Sequence, residues 1–385
     1  MMTQIDQPWL KDAATQAVCD AITAEGAQLY FVGGCVRNAL MGVPVSDLDL
    51  STNAHPKTVM DLAKRAGLKV IPTGIDHGTV TVICDGIPFE ITTFRKDVAT
   101  DGRRATVAFS NDIADDAARR DFTMNAIYAR PDGSLVDPLG GMADLDARRV
   151  RFIGTAQNRI REDYLRSLRY FRFHAWYGDH DAGFDPEALA AIAANLDGLG
   201  QLSRERVGAE LLKLLAADNP APAVAAMRQA GVLLELLPGS DDRALAPLIH
   251  LEAGLNPDPI RRLAALGGPE MGEHLRLSKA QSSNWTTLRD QAVATTGAAE
   301  LGYRLGETQA RDALLLRSAL LEQPLNPNLE SDISQGCSAK FPLSAKDLMP
   351  EITGKALGLT LKRLEVDWIL SGFSLNRDAL LSSLN

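Results

Sequence analysis

The hydrophobic pattern of this chain changes period once, near Asp144, and that change limits the fold more than any other feature. From residue 29 to 136 short apolar runs alternate with turn residues, the pattern of mixed strand and helix. Leu29-Tyr30-Phe31-Val32 reads as a buried strand ending at Gly33-Gly34, residues 36–41 as a short helix and Leu48-Asp49-Leu50 as a second strand. Pro56, suited to a first helical turn, opens a helix that runs to Arg65. Asp85-Gly86 is a hairpin signal between strands at 79–83 and 88–94, and Asp132-Gly133 separates Ala126-Ile127-Tyr128 from Leu135-Val136 in the same way. Beyond Asp144 strand signals nearly vanish, and residues 159–177, 185–196, 204–216, 221–236 and 359–371 carry helical periodicity. The expected class is therefore α+β, with a mixed N-terminal region and an all-α remainder. At 385 residues the chain exceeds what one core usually fills, so two or more packed regions are expected.

Charge and cysteine usage narrow the function classes. With a formal net charge of −9, a nucleic-acid partner would be held by local basic patches and not by the overall field. Cys19, Cys35, Cys84 and Cys337 are scattered without a Cys-x-x-Cys pair, which suggests neither a disulfide framework nor a structural zinc site and leaves reduced thiols. Met1-Met2-Thr3-Gln4 lacks a basic stretch leading into an apolar one, and the longest apolar runs are interrupted by charge. No signal peptide or membrane span is expected, and the cytoplasm is the expected compartment. No feature specifies an oligomeric state. His180-Asp181 resembles the start of a metal phosphohydrolase signature, but it sits between Gly178 and Gly183 with only His174 nearby and reads as a solvated loop.

Asp47 and Asp49 lie two apart on the second strand, so their carboxylates share one face while Leu48 and Leu50 take the other. Two like charges side by side call for a hard divalent cation such as magnesium, whose remaining positions substrate phosphates can fill. For Asp-x-Asp alone, an exposed strand edge with solvated aspartates is the better reading. The context reverses it. Gly33-Gly34 ends a strand and leads into a helix, a geometry that lets backbone N–H groups approach a phosphate, and Arg37 follows within the first turn. Glu90, in Phe89-Glu90-Ile91, is a third carboxylate on a strand, either a further metal ligand or a base for a hydroxyl.

Gly33-Gly34-Cys35-Val36-Arg37, Asp47-Leu48-Asp49, Thr79-Val80-Thr81-Val82, Phe89-Glu90-Ile91-Thr92-Thr93-Phe94-Arg95 and Arg119-Arg120-Asp121-Phe122-Thr123-Met124-Asn125-Ala126, in this order, resemble the class II CCA-adding tRNA nucleotidyltransferase and bacterial poly(A) polymerase family. The resemblance is strong from about Tyr30 to Leu215 and weaker beyond. It implies a polymerase-β-like nucleotidyltransferase head over 1–145 with a small mixed sheet, a helical neck over 146–215, and a helical body and tail over 216–385 that bind RNA. It implies catalysis by Asp47, Asp49 and Glu90, magnesium held by Asp47 and Asp49, and the incoming triphosphate contacted at Gly33, Gly34 and Arg37. Arg120, Asp121 and Asn125 match the family's ribose-selecting motif. One departure is Asn38, where the family usually has aspartate; an asparagine can still accept a hydrogen bond from Arg37.

Glu162-Asp163-Tyr164-Leu165-Arg166 matches the family's nucleobase-reading motif. On a helix Asp163 and Arg166 would be neighbours on one face. Asp163 can accept from an exocyclic amine and Arg166 can donate to the adjacent ring nitrogen, the pattern that cytosine and adenine share and that uracil and guanine reverse. Glu162 would brace Arg166 across one turn. Arg169 and Arg172 drift off that face and suit phosphates better than bases. A solvated, salt-bridged helix face is the competing reading of the whole stripe. Asp101-Gly102-Arg103-Arg104 falls where the CCA-adding members have a mobile loop needed for adenosine addition. Arg204, Arg206, Lys213, Lys340, Lys346, Lys355, Lys362 and Arg363 are candidate tRNA phosphate contacts. The resemblance thus implies two-metal transfer from CTP and ATP to the 3′ end of tRNA. A poly(A) polymerase, an enzyme adding only A or only CC, and a catalytically silent RNA-binding protein stand as alternatives.

Overall fold

The computed structural model describes residues 3–101, 104–268 and 270–384. Met1 and Met2, on which the reading of the N-terminus partly rests, and Gly102 and Arg103, at the centre of the adenosine-addition reading, lie outside the described residues. The chain forms two compact units, Met1–Leu236 and Leu237–Asn385.

The first unit is built on seven strands in one mixed sheet: β1 (Leu29–Val32), β2 (Asp49–Thr52), β3 (Lys69–Gly74), β4 (Thr79–Cys84), β5 (Ile87–Thr93), β8 (Tyr128–Ala129) and β9 (Leu135–Val136), in the order β3-β4-β5-β2-β1-β8-β9. β2 and β5 run parallel and the other neighbours antiparallel. A separate two-stranded ribbon, β6 (Arg95–Asp101) with β7 (Arg104–Phe109), occupies the stretch read from sequence as a polar loop. The Asp85-Gly86 turn forms as expected, with both residues at positive φ (50° and 79°), the condition of a two-residue hairpin. Helix Pro56–Arg65 matches the sequence reading at both ends, and the second strand begins at Asp49, so Asp47 and Leu48 precede the sheet.

Two expected helices are broken. Residues 159–177 divide into Ala156–Glu162 and Leu165–Tyr177, because Asp163 is extended (φ −154°, ψ 107°) and its Oδ1 accepts from the Leu165 backbone N–H at 3.1 Å. Aspartate competes in this way with the helical backbone bond. Residues 221–236 divide at Gly231, which takes φ 81°, giving Ala221–Gln229 and Val232–Leu236.

The second unit is helical among its described residues, from Leu245–Leu251 to Arg377–Ser382. One cluster of its core gathers Leu343, Leu348, Leu364, Trp368 and Leu380. Arg261 and Arg262 are buried against Glu252, and Arg261 also against Asp312, which compensates charges that would otherwise be costly to enclose. No helix among the described residues is long and apolar enough to cross a membrane.

Candidate active site

The parallel pairing of β2 with β5 sets Asp49 opposite Glu90. Leu50, Phe89 and Ile91 are buried in the core beneath, which leaves the carboxylates of Asp49 and Glu90 on the open face, as strand alternation requires. Asp47, two residues before the strand, accepts from Ser46 Oγ at 3.0 Å. All three carboxylates line one cavity of about 580 Å³. They share its wall without converging: among the described residues no three His, Cys, Asp or Glu side chains are gathered tightly enough to hold a metal ion. The Asp49 carboxyl is raised above the usual carboxylate range, first by its partial enclosure and then by the charges of Glu90 and Asp47, against which Arg120 pulls it down.

Gly33 stands close to both Asp49 and Arg120. It takes φ 78°, ψ −126°, a conformation that favours glycine, at the start of helix Gly34–Met41. A Cβ at Gly33 would stand 3.7 Å from Arg120 Nη1 and 4.0 Å from Asp49 Oδ2, and one at Gly34 3.8 Å from Arg37 Nη2. The glycine pair is thus bordered by two guanidinium groups. Arg37 is buried: Nη1 donates to Asn125 Oδ1 (2.5 Å), Nη2 to Asn38 Oδ1 (2.8 Å) and Tyr177 OH (2.9 Å), and the group lies 3.9 Å from the Tyr177 ring centroid. Asn38 therefore orients Arg37 as the family's aspartate would be expected to, through an accepted hydrogen bond. Burial lowers the Arg37 pKa.

Arg120 donates to Tyr128 OH (3.1 Å), Ser51 Oγ (3.2 Å) and Asp116 Oδ2 (3.0 Å). Burial alone would raise the Asp116 carboxyl, but Arg120 and Arg119 beside it hold it below its usual range. Asp121 is similarly saturated: Oδ1 accepts from Asn125 Nδ2 (2.9 Å) and the Phe122 N–H (2.8 Å), while Oδ2 pairs with Arg169 through Nε (2.8 Å) and Nη2. One hydrogen-bonded path runs from Arg169 through Asp121 and Asn125 to Arg37.

Arg120, Asp121, Asp163, Leu165, Arg166, Arg169 and Arg206 line a second, smaller pocket of about 300 Å³. Glu162 pairs with Arg166, as the sequence reading expects, and also with Arg159. Asp163 and Arg166 share the pocket but not a helix face, since the chain breaks between the two helices. The partner of Asp163 is Arg206, whose Nη2 lies 2.6 Å from Oδ2, so Arg206 is engaged here and is not a free phosphate contact. Arg169 and Arg172 are likewise held by carboxylates: Arg169 by Asp121 and Arg172 by Glu210, Nε to Oε2 at 2.6 Å. The loop with His180-Asp181 stays a loop, and the His174 and His180 ring centroids are 5.9 Å apart.

A family model described as the poly A polymerase head domain matches residues 29–151, and one described as a probable RNA and SrmB-binding site of polymerase A matches residues 183–243. The mouse mitochondrial CCA tRNA nucleotidyltransferase 1 is 33% identical over 384 residues, covering 95% of this chain and 88% of the mouse protein. This chain belongs to the CCA tRNA nucleotidyltransferase family. The CCA-adding enzyme of Lacticaseibacillus paracasei is 40% identical over 217 residues, 56% of this chain and 52% of that protein. The crystal structure of the Bacillus stearothermophilus CCA-adding enzyme in complex with CTP superposes with a TM-score of 0.75 at 26% identity, covering 95% of this chain and 94% of that one.

In this nucleotidyltransferase several positioning residues carry no strong sequence signal of their own. Asp116, fully buried, stands four before Arg120, a spacing that ordinarily marks a surface ion pair. Glu210 and Tyr177 meet the site from 38 and 140 residues away in sequence, beyond the reach of local spacing.

Proposed function

We propose that the chain adds C, C and A without a template to the 3′ end of tRNA, drawing on CTP and ATP and releasing pyrophosphate. The observation that carries this reading is the division of labour between two cavities. Asp163 and Arg166, able to match the edge common to cytosine and adenine, line one pocket. Asp47, Asp49 and Glu90 line a separate cavity. The head, neck, and body with tail over 1–145, 146–215 and 216–385 are taken to supply chemistry, base reading and tRNA binding respectively.

A divalent cation fits the donor set: hard carboxylate oxygens open to one cavity, with partial burial and then mutual repulsion raising the Asp49 pKa, a repulsion that a cation would relieve. Asp47 and Asp49 would hold two magnesium ions, which when bound supply charge compensation at the α-phosphate and a more acidic 3′-hydroxyl. The backbone of Gly33 and Gly34, with Arg37 behind them, receives the triphosphate. Asp121 and Asn125, themselves fixed by Arg169 and Arg37, set the position of the ribose. Asp163 accepts from the exocyclic amine and Arg166 donates to the ring nitrogen. The RNA 3′-hydroxyl attacks the α-phosphorus in line, Glu90 receives its proton, and the bond to the β-phosphate oxygen breaks. Four free thiols, three of them buried, suit a reducing compartment. We assign the cytoplasm; the mouse relative is named mitochondrial, so localisation of a tagged chain tests that assignment.

The decisive experiment offers tRNA transcripts lacking CCA, CA or A to the protein, with CTP and ATP separately and together, and sequences the new 3′ ends. C, C and A are expected in order, stopping after A. Runs of A with ATP alone would make it a poly(A) polymerase, and arrest after CC or addition of A only would make it a partial enzyme.

A further inference from the structure

Arg159, in helix Ala156–Glu162, is buried and is not among the described residues that line the pocket of Asp163 and Arg166. Its guanidinium engages three acceptors. Nη1 donates to Glu162 Oε2, and Nη2 to the backbone carbonyls of Arg119 and, at 2.5 Å, Arg120. Those carbonyls follow helix Ile113–Ala118, whose C-terminal end favours a cation. Arg166 draws on two of the same acceptors. Its Nη1 donates to Glu162 Oε2 and to the Arg159 carbonyl (2.9 Å), whereas its Nη2 stands 3.4 Å from the Arg119 carbonyl, near the limit of a hydrogen bond. The two arginines thus compete for one carboxylate oxygen and one carbonyl, and Arg159 holds the carbonyl more closely.

We propose that Arg159 is a positioning residue that determines specificity: by occupying the Arg119 and Arg120 carbonyls and sharing Glu162, it keeps Arg166 Nη2 available to the nucleobase. The inference rests on the nucleotidyl-transfer reading and deepens its base-selecting step. To read a ring nitrogen, Arg166 must aim a donor into the pocket while protein acceptors stand within reach of the same group. Arg159 removes that alternative by satisfying those acceptors first. With Arg159 shortened, the Arg119 and Arg120 carbonyls lose this donor, and a buried carbonyl left short of a partner is costly. Arg166, already beside one of them, is drawn onto the backbone and away from the base. Asp163 then acts alone, and a lone carboxylate accepts either the cytosine amine or the uracil ring N–H. The edge code is lost although neither residue of the reading pair has changed.

The full chain carrying Arg159→Met is compared with the parent in addition to a tRNA lacking CCA, with CTP and UTP in competition. The ratio of kcat/KM for CTP over UTP is expected to fall about tenfold, the lower range for a matched base edge, mainly through a higher KM for CTP. KM for tRNA is expected to stay within about twofold, because no base edge of the acceptor is read here. A purely structural loss would lower transfer from both nucleotides alike and leave the ratio as it was. Arg159→Lys keeps the charge without the planar fork; it is expected to lose about threefold in the ratio and serves the test should Arg159→Met not fold. Because Arg159 acts through Arg166, adding Arg159→Met to Arg166→Gln is expected to lower the ratio by less than about twofold further. Equilibrium binding of CTP and UTP in the absence of tRNA repeats the comparison without turnover. An unchanged ratio in the folded variants, or a double variant whose loss is the product of the single losses, overturns the positioning role. A parent that adds nothing to any acceptor defeats the transfer reading itself; a parent that prefers CTP beside variants with the same preference defeats the positioning role alone.

Discussion

The carboxylate cavity and the smaller pocket lined by Asp163 and Arg166 treat charge in opposite ways. Among the described residues none of Asp47, Asp49 and Glu90 forms an ion pair, and the Asp49 carboxyl is raised in pKa. In the pocket Asp121 is paired with Arg169, Asp163 with Arg206 and Arg166 with Glu162, and the Asp121 carboxyl is lowered, because Arg169 and Asn125 outweigh the burial that would raise it. The cavity carries uncompensated negative charge that a cation can satisfy. The pocket carries internally balanced charge whose geometry is fixed before a nucleotide arrives, which is the condition for reading an edge rather than merely attracting an anion.

Neutralising one carboxylate on each side should therefore give opposite results. Asp49→Asn is expected to reduce nucleotide transfer by on the order of 10³-fold or more, the value of several kcal/mol of charge stabilisation. Its thermal midpoint should hold or rise, since the substitution removes repulsion. Single-turnover incorporation and a melting curve check both parts, and a variant with parental turnover would dismiss the metal assignment. Asp121→Asn should lower unfolding stability by about 3 kcal/mol, because Arg169 and the Asn125 amide lose a buried charged partner. Chemical denaturation measures it, and a stability loss as small as that of a surface substitution would contradict the balanced pocket.

The same contrast governs what could be read from sequence. Strand Leu29–Val32, helix Pro56–Arg65 and the Asp85-Gly86 hairpin are legible because local pattern and turn chemistry suffice to specify them. The cavity is legible too, since Asp49 and Glu90 declare themselves by alternation against Leu50, Phe89 and Ile91. The pocket is legible in its local pairing, Glu162 with Arg166, but not in its distant ones. Helical spacing puts Asp163 and Arg166 on one face, yet the helix breaks at Asp163, and the carboxylate finds Arg206, 43 residues on. Arg169 meets Asp121 across 48 residues. The strands β3, with exposed and half-buried residues, and β6 with β7 in a polar stretch lack the apolar alternation by which strands announce themselves.

Those distant pairings sharpen a third prediction. Exchanging the reading pair, Asp163→Arg with Arg166→Asp, should move preference from CTP and ATP toward UTP and GTP by about 1–3 kcal/mol, the worth of a matched base edge. The exchange also sets the new arginine against Arg206 and the new aspartate against Glu162, so overall turnover should fall along with the change in preference. Competition between all four nucleotides in a single extension reaction measures the ratio. A folded variant that retains its C and A preference would show that these residues do not read the edge.

The smallest effect concerns acid. Asp121 has a lowered folded-state pKa, so in acid the unfolded chain binds more protons at this position than the folded one. Its stabilisation is therefore complete above the unfolded value of about 3.9 and is lost as pH falls from there toward the folded value. Asp116 and Asp144, also lowered, act in the same direction. In the parent the melting midpoint should decline through this window, and Asp121→Asn should decline less, the two differing by on the order of 1 kcal/mol less at the acid end than at neutral pH. Asp49→Asn should change the profile in the opposite sense: its raised pKa makes ionised Asp49 a liability at neutral pH that protonation relieves, so removing the carboxylate deletes a gain in stability on acidification. Parallel profiles for the two variants would mean that cavity and pocket do not differ in charge balance, whatever their lining residues.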